Sequence, residues 1–349
     1  MLVKRTELLE ALNIVGMAVN SKETAAQASF FMFTGSRIVG DNEILHISYP
    51  FKTGVVGAVK AEELISVLSK MIEPSLDMEV EDDKLIFKVG KSKTGLVLQP
   101  LLRENAAYLE LSREEEGTPL FALDTEIQLS LEAAAPCCSA NLSNRALSAI
   151  KISDTGMVAC DNFQAIQIQS DIDLMAGNHV LLPASVVKPL LAIGFSDLKL
   201  LDDFRVEALN PETGVWMLFD LIDSEEIEYP EIAEIFNDGG SDITFPEGFL
   251  SAVKKAEIFA KNSLKSEEVY VTISIKDGTM SVRGEGTNGF YEEEFSVSNM
   301  INGQFYVSPR TLEFLLSKED YTAKVILDSE LPRIRFQNEN ITYVITVEA

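Results

Sequence analysis

Apolar residues recur at helical spacing in three segments that resemble one another. Each starts with small or polar residues and then places leucine or valine four residues apart, the pattern of a short amphipathic helix. The segments are VKAEELISVLSK from Val59, LPASVVKPLLAI from Leu182 and VSPRTLEFLLSK from Val307. When they are superposed, Leu64, Val187 and Leu312 share one position, at separations of 123 and 125 residues. This near-constant interval predicts an internal repeat.

A second helical pattern opens each repeat. The three copies are ELLEALNIVGMAV from Glu7, EIQLSLEAAAPCC from Glu126 and GFLSAVKKAEIFA from Gly248, at offsets of 119 and 122 residues. Between the helical patterns lie runs of alternating apolar and polar residues that Gly, Asp or Asn interrupt, which is typical of antiparallel strands joined by tight turns. Each repeat therefore predicts helix, strands, helix and strands.

The repeats predict an α+β protein whose helices cover one face of antiparallel sheets. Turn-forming residues cluster at EEEGTPLFALD and at NDGGSDITFPEG, where the chain should pass from one repeat to the next. The sequence thus predicts three domains, at residues 1–119, 120–243 and 244–349.

One glycine pattern has the spacing of a dinucleotide-binding turn. Gly284, Gly286 and Gly289 form G-x-G-x-x-G, but such a turn requires a helix directly after the glycines. Here FYEEEFSVS follows, which suits a strand and whose glutamates would repel phosphate. We interpret the glycines as part of a hairpin turn and expect no cofactor.

Composition narrows the function classes. The 349 residues are 46% hydrophobic, and neither a signal-peptide core nor an apolar run long enough for a membrane span occurs, so we expect a cytoplasmic protein without membrane contact. Three cysteines fit buried thiols better than a disulfide framework or a metal site. Two isolated histidines leave little for His-based catalysis, and no enzymatic activity is expected. A hydrolase with a carboxylate pair is the alternative from another class.

Charge is distributed unevenly. The net charge is −26, and residues 121–242 carry 5 basic against 21 acidic side chains. Basic residues nevertheless gather in and around the predicted helices: Lys4, Arg5, Lys22, Lys70, Arg145, Lys188, Lys254, Lys255, Lys261, Lys265, Arg310 and Lys318. They are either ordinary solvated charges or a cationic helix face on an acidic body.

Three short stretches add to this architecture a resemblance to a known family. MVACDNFQAIQIQ (157–169) is similar to the family's A-T-D-G-H-R-L-A strand, LIDSEEIEYPEI (221–232) to its L-I-D-G-K-F-P-D-Y, and LDSELPRIRF (327–336) to its L-S-D-S-x-S-P-V-x-I. Together with the repeats, they resemble the bacterial-type β sliding clamp along essentially the whole chain. The departures from these motifs suggest a divergent member, such as a phage-encoded one.

The resemblance implies a ring-shaped homodimer, in which antiparallel sheets lie outside and the helices line a hole that encircles double-stranded DNA. The implied function is that of a DNA replication processivity factor, which tethers a replicative polymerase and is opened by a clamp loader, without metal or cofactor. The twelve basic residues above would then face DNA. A trimer stays open as an assembly, and a clamp-like scaffold for transcription or repair partners stays open as a function.

The resemblance also implies a hydrophobic groove that takes short peptides from partner proteins. The corresponding residues are Cys160, Asn162, Phe163, Ala165, Leu331, Pro332, Ile345 and Val347. The family's Thr, Gly, His, Arg and Leu are all replaced in the strand 157–169, and ITVEA stands in place of its C-terminal M-P-M-R-L. We therefore expect an altered peptide preference. Phe163 fits either this groove or plain core packing.

Overall fold

The computed structural model describes most of the chain. The described residues are 1–21, 27–102, 117–174, 179–237, 239–261, 269–298, 302–307, 309, 312–313, 321–326 and 332–346. Two compact units divide them: residues 1–132 with 173–223, and residues 133–172 with 224–349.

Five α-helices lie within the described residues, where the helical patterns predict them. They are α1 (Arg5–Val15), α2 (Ala61–Lys70), α3 (Thr125–Ala134), α4 (Ala184–Ile193) and α5 (Phe249–Ala260). The repeat positions Leu64, Val187 and Leu312 are all buried, as a shared core position requires. Most of the segment predicted as the sixth helix, from Val307, lies outside the described residues.

Strands make up most of the remaining regular structure. They are β1 (Leu2–Lys4), β2 (Phe30–Thr34), β3 (Arg37–Asp41), β4 (Leu45–Pro50), β5 (Val56–Lys60), β6 (Ser75–Glu81), β7 (Lys84–Val89), β8 (Ser92–Val97), β9 (Thr118–Ala122), β10 (Ala149–Ser153), β11 (Gly156–Cys160), β12 (Gln164–Gln169), β13 (His179–Pro183), β14 (Asp197–Leu200), β15 (Arg205–Leu209), β16 (Trp216–Asp220), β17 (Ser241–Ile243), β18 (Val271–Lys276), β19 (Thr279–Gly286), β20 (Gly289–Ser296), β21 (Gly303–Val307), β22 (Thr322–Ile326), β23 (Arg333–Gln337) and β24 (Ile341–Thr346). Short 3-10 helices cover Gly16–Ala18, Ala135–Cys137 and Ala233–Phe236.

The first unit contains two antiparallel sheets. One has the order β1-β6-β7-β8, and the other has the order β5-β2-β3-β4-β16-β15-β14-β9. The second sheet joins strands from the first and second thirds of the chain through the β4–β16 pair. Arg37 supports this junction, because its guanidinium donates to the backbone oxygens of Ser48 (2.9 Å) and Gly214 (2.8 Å).

The second unit repeats this arrangement with later parts of the chain. Seven of its strands follow in the order β10-β11-β12-β24-β23-β22-β17, and four more form the sheet β20-β19-β18-β21. The β12–β24 pair joins residues 164–168 to residues 341–345. In both units, strands from distant parts of the sequence share one sheet, so each unit is built from two separate pieces of chain.

The glycine pattern at 284–289 lies in a hairpin, as predicted. Gly286 pairs with Gly289 across the β19–β20 turn, which leaves Thr287 and Asn288 as the turn residues. Gly284 lies within β19 against α5: a Cβ there would be 1.9 Å from the carbonyl oxygen of Ala256. This glycine is therefore needed for the close contact between strand and helix.

Candidate functional site

A basic face runs along α5. The apolar side of the helix packs on β19 and β20 and buries Phe249, Ala252, Val253, Ala256 and Ala260. The opposite side exposes Lys254, Lys255 and Lys261. Lys254 and Lys261 lie on one side of the helix because residues seven positions apart are nearly aligned, and Lys255 lies about 100° further around the helix, also exposed.

Each of these lysines has a carboxylate partner in the same unit. Lys254 Nζ lies 2.6 Å from Glu313 Oε1, Lys255 Nζ 3.3 Å from Glu293 Oε2, and Lys261 Nζ 2.7 Å from Glu257 Oε1. The lysine side chains are about half exposed, at 51%, 51% and 52%. Three cations and three carboxylates thus share this surface, which we call the α5 face. Exposed pairs of this kind are weak, so an incoming phosphate can compete for the lysines.

Lys255 also contacts an aromatic ring of the edge strand β20. Its Nζ lies 5.6 Å from the centroid of the Tyr291 ring, and the Tyr291 hydroxyl donates a hydrogen bond to Glu293. The Tyr291 hydroxyl and the Glu293 carboxylate raise the pKa of Lys255. Lys255 therefore keeps its positive charge at neutral pH.

The helices of the first unit offer fewer available cations. Lys4 pairs with Glu7 at 2.6 Å, and Arg5 donates to the backbone oxygens of Glu73 (3.1 Å) and Leu68 (3.5 Å). Lys70 on α2 and Lys188 on α4 are exposed. The same helices expose Glu7, Glu10, Glu62, Glu63, Glu126 and Glu132. Lys22, Lys265, Arg310 and Lys318 lie outside the described residues.

An apolar cluster in the second unit contains part of the predicted groove. Cys160, Ala165, Phe236 and Val344 are buried together, and Leu147, Val158, Tyr229, Ile232 and Ile235 pack against them half-buried. We call these nine residues the groove cluster. Cys160, Ala165 and Val344 come together because β11, β12 and β24 are neighbours, with Cys160 opposite Ala165 and Ala165 opposite Val344.

The turn between β11 and β12 presents a large apolar side chain. Asp161 Oδ1 accepts hydrogen bonds from the backbone N–H groups of Phe163 (2.7 Å) and Gln164 (2.8 Å), which fixes the turn. The Phe163 carbonyl oxygen in turn accepts from the backbone N–H (2.8 Å) and the hydroxyl (2.9 Å) of Thr346. With its backbone held in this way, the Phe163 side chain remains 55% exposed, and its ring contacts that of Tyr270 at 6.4 Å.

Tyr229 links the segment between β16 and β17 to the sheet. Its hydroxyl donates to the Val158 carbonyl oxygen at 3.2 Å and lies 3.7 Å from Cys160 Sγ, while Lys151 Nζ lies 5.7 Å from the ring centroid. Burial raises the pKa of both Tyr229 and Cys160, so each stays protonated and uncharged. Neither side chain therefore adds a charge to the groove cluster.

The other predicted groove residues occupy different positions. Asn162 is exposed in the turn, and Pro332 is half-buried before β23. Ile345 is 4% exposed and pairs with Gln164 and Ile334, on the face of β24 opposite to Val344. Leu331 and Val347 lie outside the described residues. Val344 and Phe236 are missing from the predicted groove, because the β12–β24 register, which places Val344 opposite Ala165, is not encoded in either strand alone.

An open cavity of about 520 Å3 is lined by residues that are close in sequence to members of the groove cluster. Its lining residues are Asn141, Ser143, Asn144, Arg145, Ala146 and Ile227. Arg145, which the family resemblance places among the DNA-facing residues, lies in the loop between α3 and β10, 3.8 Å from a Glu226 carboxylate oxygen. Arg145 thus contacts the segment between β16 and β17, which also contributes Tyr229, Ile232, Ile235 and Phe236 to the groove cluster.

The three cysteines are free thiols, of which Cys137 and Cys160 are buried. Burial raises the pKa of all three, which disfavours the reactive thiolate. We expect iodoacetamide at pH 8 to modify the native protein at least about tenfold more slowly than the urea-unfolded protein, by mass spectrometry. Equal rates in both states would contradict this burial.

Among the described residues, no group of three or more His, Cys, Asp or Glu side chains could hold a metal ion. In the same part of the chain, no helix has both the length and the apolar character needed to span a membrane.

Comparison with known proteins gives matches among solved structures alone. No protein-family model matches the chain, and no curated protein matches its sequence. The structure of a DnaN sliding clamp (DNA polymerase III subunit beta) from Bartonella birtlesii bound to griselimycin matches with a TM-score of 0.72 and 16% identity, over 100% of this chain and 99% of that chain.

Two other solved structures match equally completely. A DNA polymerase III beta chain from Streptococcus pneumoniae matches with a TM-score of 0.69 and 17% identity, and a DnaN sliding clamp from Pseudomonas aeruginosa with 0.68 and 16%; both cover 100% of this chain and 99% of the other. The antiparallel sheets and their helices therefore match from end to end despite low identity. The chain has the α+β fold of the bacterial DNA polymerase III β sliding clamps.

Proposed function

We propose that the protein is a processivity clamp, which encircles duplex DNA and tethers a replicative DNA polymerase. The observation that carries this proposal is the match of the whole chain, over 100% of its length, to solved sliding clamps. A ring stays on DNA because leaving requires opening, so it needs little affinity for phosphate. No chemical step is part of this function.

The charge of the α5 face suits such a ring. Lys254, Lys255 and Lys261 can attract phosphates, but their three carboxylate partners keep the attraction small. Weak, sequence-independent contacts let a ring slide along the duplex. The net charge of −26 also disfavours DNA binding on the rest of the surface.

The two four-stranded sheets supply the surfaces for a head-to-tail homodimer. Among the described residues, β8 pairs only with β7, and β20 pairs only with β19, so each leaves one edge available. Lys84 and Lys93 are exposed on β7 and β8, and Glu292 and Glu294 are exposed on β20. Pairing β8 of one chain with β20 of the next would therefore join basic to acidic residues and remove two open edges.

The assembly has a simple test. Light scattering at micromolar concentration is expected to give the mass of two chains, each of 38.5 kDa. Exchanging Glu292 and Glu294 for lysine should shift the protein toward the mass of one chain, because like charges would then face each other. A mass of three chains would replace the dimer by a trimeric ring, and a monomer in the unmodified protein would contradict closure.

The groove cluster and the exposed Phe163 supply a docking surface for short peptides of a polymerase and a clamp loader. Apolar anchors of such a peptide can pack on Phe163 and on the half-buried residues of the cluster, and tethering holds the polymerase at high local concentration.

The topological mechanism can be tested directly. After loading, the protein is expected to stay on nicked circular DNA and to leave the same DNA once it has been made linear, because a ring slides off free ends. Retention is measured by gel filtration of the protein–DNA complex. Equal loss from both DNAs would overturn the proposed function.

A further inference from the structure

The segment from Ser224 to Asn237 alternates between two kinds of side chain. Tyr229, Ile232, Ile235 and Phe236 pack into the groove cluster, and Ile227 lines the open cavity of about 520 Å3. A glutamate directly precedes four of these five residues: Glu226, Glu228, Glu231 and Glu234. All four glutamates are exposed, as is Glu225. The apolar side chains of the segment thus face the sheet, and its carboxylates face the solvent.

The cations of this region lie deeper than the carboxylates. Arg335 is 5% exposed on β23, the neighbour of β24; Arg333 on β23 and Lys324 on the next strand, β22, are half-buried. Lys151 is half-buried, with its ammonium over the Tyr229 ring. Arg145 is exposed but lies 3.8 Å from Glu226. The outermost charged layer around the groove cluster is therefore acidic.

We propose that this groove selects partner segments in which large apolar side chains are flanked by lysine or arginine. The inference rests on the proposed function of the groove and specifies its partner. The apolar anchors would pack on Phe163 and the groove cluster, while the basic residues lie against Glu228, Glu231 and Glu234.

Charge complementarity decides between the classes of occupant. Nucleic acid would meet a row of carboxylates and be repelled. A second copy of this chain, with a net charge of −26, would bring further negative charge to the same surface. A basic protein segment is attracted by Glu228, Glu231 and Glu234, which increases its association rate. The same carboxylates repel acidic competitors.

The test compares matched peptides on the intact protein. Fluorescein-labelled peptides carry a central Leu-Phe pair flanked on both sides by lysines, by serines or by glutamates, and binding is measured by fluorescence anisotropy at low and high salt. We expect the lysine peptide to bind about tenfold more tightly than the serine peptide, and the difference to shrink as salt screens the charges. The glutamate peptide should bind most weakly.

Two sets of variants test whether the preference for lysine depends on the glutamates of the segment 224–237. Glu228→Gln, Glu231→Gln and Glu234→Gln together should reduce the preference for lysine by severalfold. Glu10→Gln, Glu62→Gln and Glu63→Gln remove the same charge from α1 and α2 and should leave the preference intact. Phe163→Ala should weaken all three peptides alike, since it removes an apolar contact that they share.

The outcomes separate this inference from the function on which it rests. Equal affinity for the three peptides, or an equal effect of the two glutamine sets, overturns the charge preference while the retention of the ring on circular DNA still stands. If the glutamate peptide bound most tightly of the three, the charge preference would also be overturned. A ring that is not retained on circular DNA, with the lysine preference intact, contradicts the proposed clamp and leaves a basic-peptide docking site.

Discussion

Replacing Gly284 by alanine is expected to destabilise the second unit by about 3 kcal/mol. The new Cβ would lie 1.9 Å from the Ala256 carbonyl oxygen and 2.5 Å from its carbonyl carbon. Both atoms belong to the backbone of α5, so no side-chain rotation can relieve the clash. The helix would have to move away from β19, and its buried apolar face would lose packing.

Urea unfolding, followed by circular dichroism, measures this effect. Gly16→Ala is the matched control, because a Cβ at Gly16 would meet the nearest atom, of the Phe31 ring, at an ordinary 3.7 Å. Its φ of −61° also suits alanine, so we expect a change within about 1 kcal/mol. If Gly284→Ala were as stable as this control, the close packing of α5 on β19 would be refuted.

Reversing two charges on the α5 face is expected to remove most of its attraction for DNA. Lys254→Glu with Lys261→Glu eliminates two phosphate contacts and leaves Glu313 and Glu257 beside new carboxylates. The slope of log affinity against log salt should fall by roughly two, since each lysine–phosphate contact contributes about one. Polymerase processivity should also fall. The thermal unfolding temperature of the double variant should change little, because both lysines are exposed.

The partner carboxylates provide the opposite experiment. Glu257→Gln, Glu293→Gln and Glu313→Gln should free the three lysines and strengthen DNA binding, with a steeper dependence on salt. Lys199→Glu with Lys276→Glu changes exposed lysines of strands and serves as the control for net charge. If this control weakened binding as much as the helix variant, the α5 face would have no special role toward DNA.

The repeat pattern predicted much of the fold because helix formation and strand alternation are local. The five described helices lie where the apolar spacing predicts them, and Gly286 and Gly289 close the predicted hairpin. The boundaries near residues 119 and 243 stay a prediction. The two compact units do not follow them, because the pairs β4–β16 and β12–β24 join strands that the sequence keeps far apart.

The groove was predictable only in part. Cys160 and Ala165 belong to the groove cluster as the family resemblance implied, but Ile345 and Val344 lie on opposite faces of β24. In a strand, a shift of one residue moves a side chain to the other face, so a short C-terminal match does not identify the face. Phe236 and Tyr229 reach the cluster through the path of a connecting segment, and that path does not follow from the local sequence.

By itself, the sequence determined the α+β class, the positions of the described helices and the buried repeat positions, since these follow from periodicity within short windows. Only the tertiary structure decided which lysines have carboxylate partners, which strands share a sheet and which side chains form the groove cluster. Glu293 and Glu313 lie far from α5 along the chain and reach its lysines through folding. Such contacts depend on register and on long-range strand pairing, which local composition does not encode.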